Sequence, residues 1–171
     1  MGDTAPLHLK GLIKRQREEI RTRHEAGALG GQISTGLTEL YDRVITAGYQ
    51  IALEKVSAGA RPAMLENLAL VAIGGYGRGD TAPFSDVDLL FLRSKKAGAA
   101  EQDVVNSLVR DLWDYGIKLS QSVRTPQEAI EFARQDLPMR TSLTEARLLV
   151  GSQALFADLQ RRNHRLSRPP R

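Results

Sequence analysis

The sequence predicts an α/β (α+β) chain built on a small mixed β-sheet flanked by helices. Three observations predict it. Leu68 to Ile73 and Asp86 to Leu92 are short, continuous apolar runs, the first closed by two glycines, as buried strands are. Stretches on either side repeat apolar residues at helical steps. The resulting order is helical hairpin, strand, loop, strand, helix, strand, then helices. It packs most simply as one sheet with helices laid against it.

The elements follow in order. Leu7 to about Ala28 is charged and helical, with Leu9, Leu12, Ile13 and Ile20 as a thin apolar stripe. Gly27, Gly30 and Gly31 break it. Ser34 to Val56 is a second helix, on Leu37, Leu40, Tyr41, Val44 and Ile45. Ser57 to Pro62 is a small-residue loop, Leu68 to Ile73 the first strand, and Gly74 to Ser85 loop or broken turn. Asp86 to Leu92 is the second strand, and Arg93 to Gly98 a basic turn holding Lys95 and Lys96. Ala100 to Tyr115 is a helix closed by Gly116. Trp113, within it, is expected in the core. Ile117 to Arg124 alternates as a third strand. Thr125 with Glu128 forms a capping box, with Pro126 at the first helical position. Helices are expected over Gln127 to Gln135, about Pro138 to Val150, and about Gln153 to Arg162, before a frayed end from Leu166 to Arg171. The expected division is a helical region over 1–60, a core over 61–150, and a helix with basic tail over 151–171.

Composition narrows the chemistry. The 171 residues are 42% hydrophobic and 26% charged, enough for one sizeable core. With no cysteine, disulfides and thiolate metal sites are excluded, and any metal must use oxygen or imidazole. The net charge is +4, concentrated over Lys10 to Arg23 and Arg161 to Arg171. Such a balance suits an anionic substrate or, on the basic ends alone, nucleic acid. Met1 to Pro6 has no apolar signal region, and no run approaches the roughly 18 apolar residues of a membrane span. A cytoplasmic protein without membrane partner is the expectation.

The candidate site is a conjunction. Asp86 and Asp88, separated by one residue at the start of a strand, point the same way, about 7 Å apart at the backbone. Val87, Leu89 and Phe91 face oppositely. Two carboxylates amid apolar residues need a neutralising partner, and hard oxygen ligands select Mg²⁺ or Mn²⁺, which also take phosphate oxygens. Gly74 and Gly75 let backbone N–H groups approach an anion closely. Arg78, flanked by Gly77 and Gly79, can grip phosphate, and Ser85 can donate one further hydrogen bond. The specific element is the order: apolar strand, Gly-Gly, the ten-residue spacer Tyr76 to Ser85, then Asp-Val-Asp opening a second apolar strand.

Gly74-Gly75…Asp86-Val87-Asp88-Leu89 resembles the signature of the DNA polymerase β-like nucleotidyltransferase superfamily. The longer string from Gly74 to Leu92 is similar to that of the bacterial PII-protein uridylyltransferase/uridylyl-removing enzymes. Leu112 to Gly116, Ser122 to Thr125, Asp136-Leu137, Arg140 to Leu143 and Glu145 to Arg147 resemble the flanking segments of that family. The resemblance covers about Leu68 to Leu159. It implies a Mg²⁺-dependent transfer of UMP from UTP to a tyrosine of the PII regulatory protein, releasing pyrophosphate, with Asp86 and Asp88 as metal-binding acids.

Two departures qualify it. Many superfamily members carry a third carboxylate on a later strand, but Ile117 to Arg124 contains no acid. Asp80, Asp114 and Glu128 are available, with no spacing that recommends one. The family's phosphohydrolase and ligand-sensing domains are not expected within these 171 residues: His8, His24 and His164 form no His-Asp doublet. A chain truncated relative to the family is the expectation, favoured by the Ser167 to Arg171 ending. The alternatives are an adenylyltransferase acting on another acceptor and a non-catalytic interaction fragment of the same fold.

Overall fold

The computed structural model describes residues 4–167, in the order α1 (Thr4–Glu25), α2 (Gly30–Glu54), α3 (Arg61–Asn67), β1 (Leu68–Ala72), α4 (Gly74–Arg78), β2 (Val87–Arg93), α5 (Ala99–Asp114), β3 (Leu119–Arg124), α6 (Pro126–Gln135), α7 (Leu137–Thr144), β4 (Arg147–Gly151) and α8 (Gln153–Leu166). The tail from 168 onward, expected to fray, lies outside the described residues.

One mixed sheet in the order β3-β2-β1-β4 forms the middle layer. β1 pairs antiparallel with β2 and with β4, whereas β2 and β3 run parallel, joined through α5. Every residue of β1 is buried, because both of its faces are covered. Leu68, Leu70, Ala72, Val87, Leu89 and Phe91 join the core of α1, α2 and α5. Ala69, Val71, Leu90 and Leu92 join the core of α6, α7 and α8. This two-sided burial is why both central strands read as unbroken apolar runs.

Local signals explain the ends. Gly27, at φ 88°, closes α1. Gly116, at φ 77°, lets Ile117 N–H reach the Leu112 carbonyl at 3.0 Å and stops α5. The Thr125–Glu128 capping box opens α6 with Pro126 in its first turn, as the sequence predicts. Gly30 and Gly31, expected among the breakers, instead form the first turn of α2.

Three expectations are corrected. The helix expected over Pro138 to Val150 ends at Thr144, and Arg147–Gly151 is strand β4. A bulge between Leu70 and Val71 in its pairing with β1, together with partial burial, disguises the alternation. Gly74–Arg78 is a five-residue helix rather than loop. Trp113 is 59% exposed, not in the core: Val104, Val105, Leu108, Val109 and Leu112 fill the buried face of α5.

Candidate active site

The candidate site lies where β1 ends and β2 and β3 begin. β1 delivers the chain to Ile73, and α4 starts at once, with no side chain capping it. A helix leaves its first N–H groups without intrahelical partners. Gly74 has φ 58°, a left-handed conformation that favours glycine. A Cβ built there would stand 3.2 Å from Asp88 Oδ2 and 3.4 Å from Ser142 Oγ. Gly74, Asp88 and Ser142 therefore share one small space, and a side chain at position 74 would fill it.

Asp88 shares its strand face with Leu90 and Leu92, on the α6–α8 side, as the period of two requires. It is half-buried, and its parallel register partner is Ser120. Burial pushes its carboxyl above the ordinary range; the Ser120 hydroxyl works in the opposite sense, and the Asp86 charge raises it further. Asp86 is exposed, one residue ahead of the strand. The donors here are two carboxylates and two hydroxyls, all hard oxygen. A half-buried carboxylate held above its ordinary range beside a second one suits a small divalent cation, which would offset both charges. Among the described residues no three acids or histidines cluster as a ligand set. Ser120 stands opposite Asp88 on the parallel neighbour β3, which carries no acid. Glu128 is committed to the Thr125 cap and to Arg93, and Asp80 to Arg78.

The other predicted residues divide. Gly75 follows Gly74, and its carbonyl accepts from Asp80 N–H at 2.8 Å. Arg78 pairs with Glu145, at the mouth of β4, and with Asp80. Its guanidinium folds back to 3.8 Å from where a Gly75 side chain would begin. Ser85 donates to the Ala82 carbonyl at 2.8 Å and faces a cavity on the α1–α2 side.

A clamp behind α4 escaped the sequence. Arg147 on β4 donates to both oxygens of Asp42 on α2, and the Tyr76 hydroxyl donates to the same carboxylate at 2.7 Å. Arg147 also lies over the Tyr76 ring, 5.6 Å from its centroid. The Tyr76 phenol is pushed far up, first by burial and then by the Asp42 charge. Gly77 presses against the end of α7 just before β4, where a Cβ would collide with the Glu145 carbonyl. Ser142, Glu145 and Arg147 all lie within the family-like segments of the sequence, but no local pattern gave them a role.

No protein-family model matches the chain. Curated relatives do. The chain is 41% identical over 154 residues to a bifunctional uridylyltransferase/uridylyl-removing enzyme of Caulobacter vibrioides, a match covering 90% of this chain and 16% of that protein. It is 40% identical over 154 residues to the protein of that name from Phenylobacterium zucineum, with the same coverage. It is 37% identical over 153 residues to the one from Rhodospirillum rubrum, covering 89% of this chain and 16% of the relative. Over some nine-tenths of its own length, and 16% of theirs, this chain is a homologue of the bifunctional uridylyltransferase/uridylyl-removing enzymes.

Proposed function

We propose that the chain carries the nucleotidyl-transfer site of a uridylyltransferase, moving UMP from UTP to a tyrosine hydroxyl of a PII-type regulatory protein and releasing pyrophosphate. The observation that supports it best is the shared space of Gly74, Asp88 and Ser142: a side-chain-free turn facing a half-buried acid. The relatives' name supplies the uridylyl group.

In this reading Asp86 and Asp88 hold Mg²⁺ or Mn²⁺, which would polarise the α-phosphate and neutralise the leaving pyrophosphate. The backbone N–H groups at the start of α4 take phosphate oxygens, which glycine at positions 74 and 75 allows to come close. Ser142 and Ser120 flank the same space as hydroxyl donors. The acceptor oxygen forms its bond to the α-phosphorus as the bond to the β-phosphate bridge breaks, and the tyrosine proton leaves for solvent. Positioning and charge neutralisation supply the acceleration. Arg78, already paired with Glu145, closes the α4 end of the site and lies within reach of an anion at Gly75. This reading requires neither a membrane nor a nucleic acid.

Calorimetry of UTP with and without Mg²⁺ tests it. The expected result is cation-dependent binding that vanishes in Asp86→Ala/Asp88→Ala, with labelled UMP transferred to PII. Equal UTP binding by wild type and the double variant would sink the site assignment. A competition panel of the four nucleoside triphosphates separates a uridylyltransferase from an adenylyltransferase. A second reading, a non-catalytic fragment of the same fold, is motivated by the absence of a third acid beside Asp88 among the described residues. It predicts no transfer by folded protein that still binds UTP.

A further inference from the structure

Across the sheet from Asp88 lies a second space. α1, α2, the Pro83–Ser85 turn and the segment from Tyr115 to Lys118 surround a cavity of about 790 Å³. That volume falls in the range of small-molecule sites. Its floor is apolar, formed by Ile13, Ile33 and Leu37, which are buried in the main core.

The rim is different. Lys10, Lys14 and Lys118 line it, all exposed. None of the ion pairs found among the described residues engages them. Glu18, the acid in the lining, is already paired with Arg21. Arg17 is spent on structure, donating to the Gly116 carbonyl at 2.9 Å and to the Tyr41 hydroxyl at 3.0 Å. The rim therefore carries three uncompensated ammonium groups above an apolar floor.

Two further observations point the same way. Tyr115 lines the cavity at 7% exposure, and its hydroxyl is buried with no hydrogen-bond partner. Buried polar groups without partners are rare. Phe84, also in the lining, is 92% exposed at φ 70°, the one non-glycine residue with positive φ among those described. Backbone strain of this kind collects at ligand sites.

We propose that this cavity binds a small organic anion with an apolar or aromatic body, its carboxylate or phosphate seated among Lys10, Lys14 and Lys118. The body fills the space over Ile13, Ile33 and Leu37, beside Phe84. Ser85 lines the cavity and directly precedes Asp86, so an occupant touches the turn that sets Asp86. The site is distinct from the Asp88 space, which faces the other side of the sheet.

The test uses the 171-residue chain and the fluorescent probe 1-anilinonaphthalene-8-sulfonate, an aromatic body with one anionic group. The expected result is saturable enhancement at one site per chain, displaced by octanoate. Affinity should fall about tenfold or more in Lys14→Glu/Lys118→Glu. N-phenyl-1-naphthylamine, the same body without the sulfonate, should bind about tenfold more weakly. Circular dichroism checks the fold; if charge reversal disturbs it, Lys14→Gln/Lys118→Gln replaces it with an expected loss of about threefold. Unsaturable binding, unchanged affinity in the lysine variants, or equal binding of the uncharged probe would overturn the proposal. Asp88→Ala, on the other side of the sheet, should leave probe affinity unchanged, so a failed nucleotide site and a failed cavity give different results.

Discussion

Arg147 holds Asp42 through two guanidinium nitrogens, at 2.7 and 3.1 Å, and so ties edge strand β4 to α2 behind the Gly74–Gly75 turn. The pair is partly buried, and Tyr76 shares its carboxylate. Arg147→Ala should cost about 1–2 kcal/mol in urea denaturation. A double-mutant cycle with Asp42→Ala should show clear coupling, since the two singles remove the same contact. Additive effects would mean that the clamp contributes little.

Gly77→Ala should be harsher than an ordinary small-to-large change. The added methyl meets the Glu145 carbonyl and stands 3.0 Å from the Ala72 carbonyl, both backbone atoms that cannot swing away. A loss of about 1–3 kcal/mol is expected. Gly79→Ala provides the contrast: nothing lies within 4 Å of its Cβ, and only its φ of 83° opposes the change. Thermal melts that rank Gly79→Ala as the more damaging would contradict this packing.

Asp88 carries a cost when nothing neutralises it. Its carboxyl is raised by burial, so the charged form disfavours the folded state as pH climbs through and above the carboxylate range. Without divalent cations, Asp88→Asn should melt at an equal or higher temperature at neutral pH, and any gain should shrink in acid. With Mg²⁺ the wild type should gain stability that the variant does not. Parallel melts with and without chelator measure both.

Glu128 behaves oppositely. The Thr125 backbone N–H, at 2.7 Å, holds its carboxyl below the ordinary range against the opposing effect of burial, and the Thr125 hydroxyl, Arg93 and Arg124 add to the lowering. A depressed carboxylate stabilises above its unfolded value and loses that contribution as pH falls through the folded one. Glu128→Gln should therefore destabilise at neutral pH and converge on wild type in acid. Thr125→Ala should cost about 1 kcal/mol, the worth of a helix cap.

Trp113 is the sole tryptophan, and its exposure is directly measurable. Its emission should be red-shifted and readily quenched by iodide in the native protein, changing little on unfolding. A blue-shifted native spectrum would restore the core position that its hydrophobicity suggests.

Much of the central sheet was legible because β1 and β2 are buried on both faces and bounded by glycine or loop. The α6 cap was equally legible, since Thr125, Pro126 and Glu128 act within four residues. β4 was not: its bulge against β1 and the Gly151 backbone at φ 99° are tertiary adjustments, and Arg-Leu-Leu-Val by itself suits a helix as well. Trp113 misled because size does not reveal which side of a helix meets the core. At the site, the spacing of Gly74-Gly75 and Asp86-Val87-Asp88 singled out Gly74 and Asp88, which the fold brings together. Ser120, Ser142, Asp42 and Arg147 reach that turn only through strand pairing and helix packing, which have no local mark.

The central strand β1 borrows its neighbours from opposite ends of the chain's later course. β2 follows within about twenty residues, whereas β4 arrives only at Arg147. Gly77 rests against Glu145, and Asp42 waits for Arg147. Contacts so distant in sequence close late, because the intervening loop entropy must be overcome first. The α4 turn should thus take its final shape near the end of folding, and in a growing chain only after the segment through Arg147 has been made.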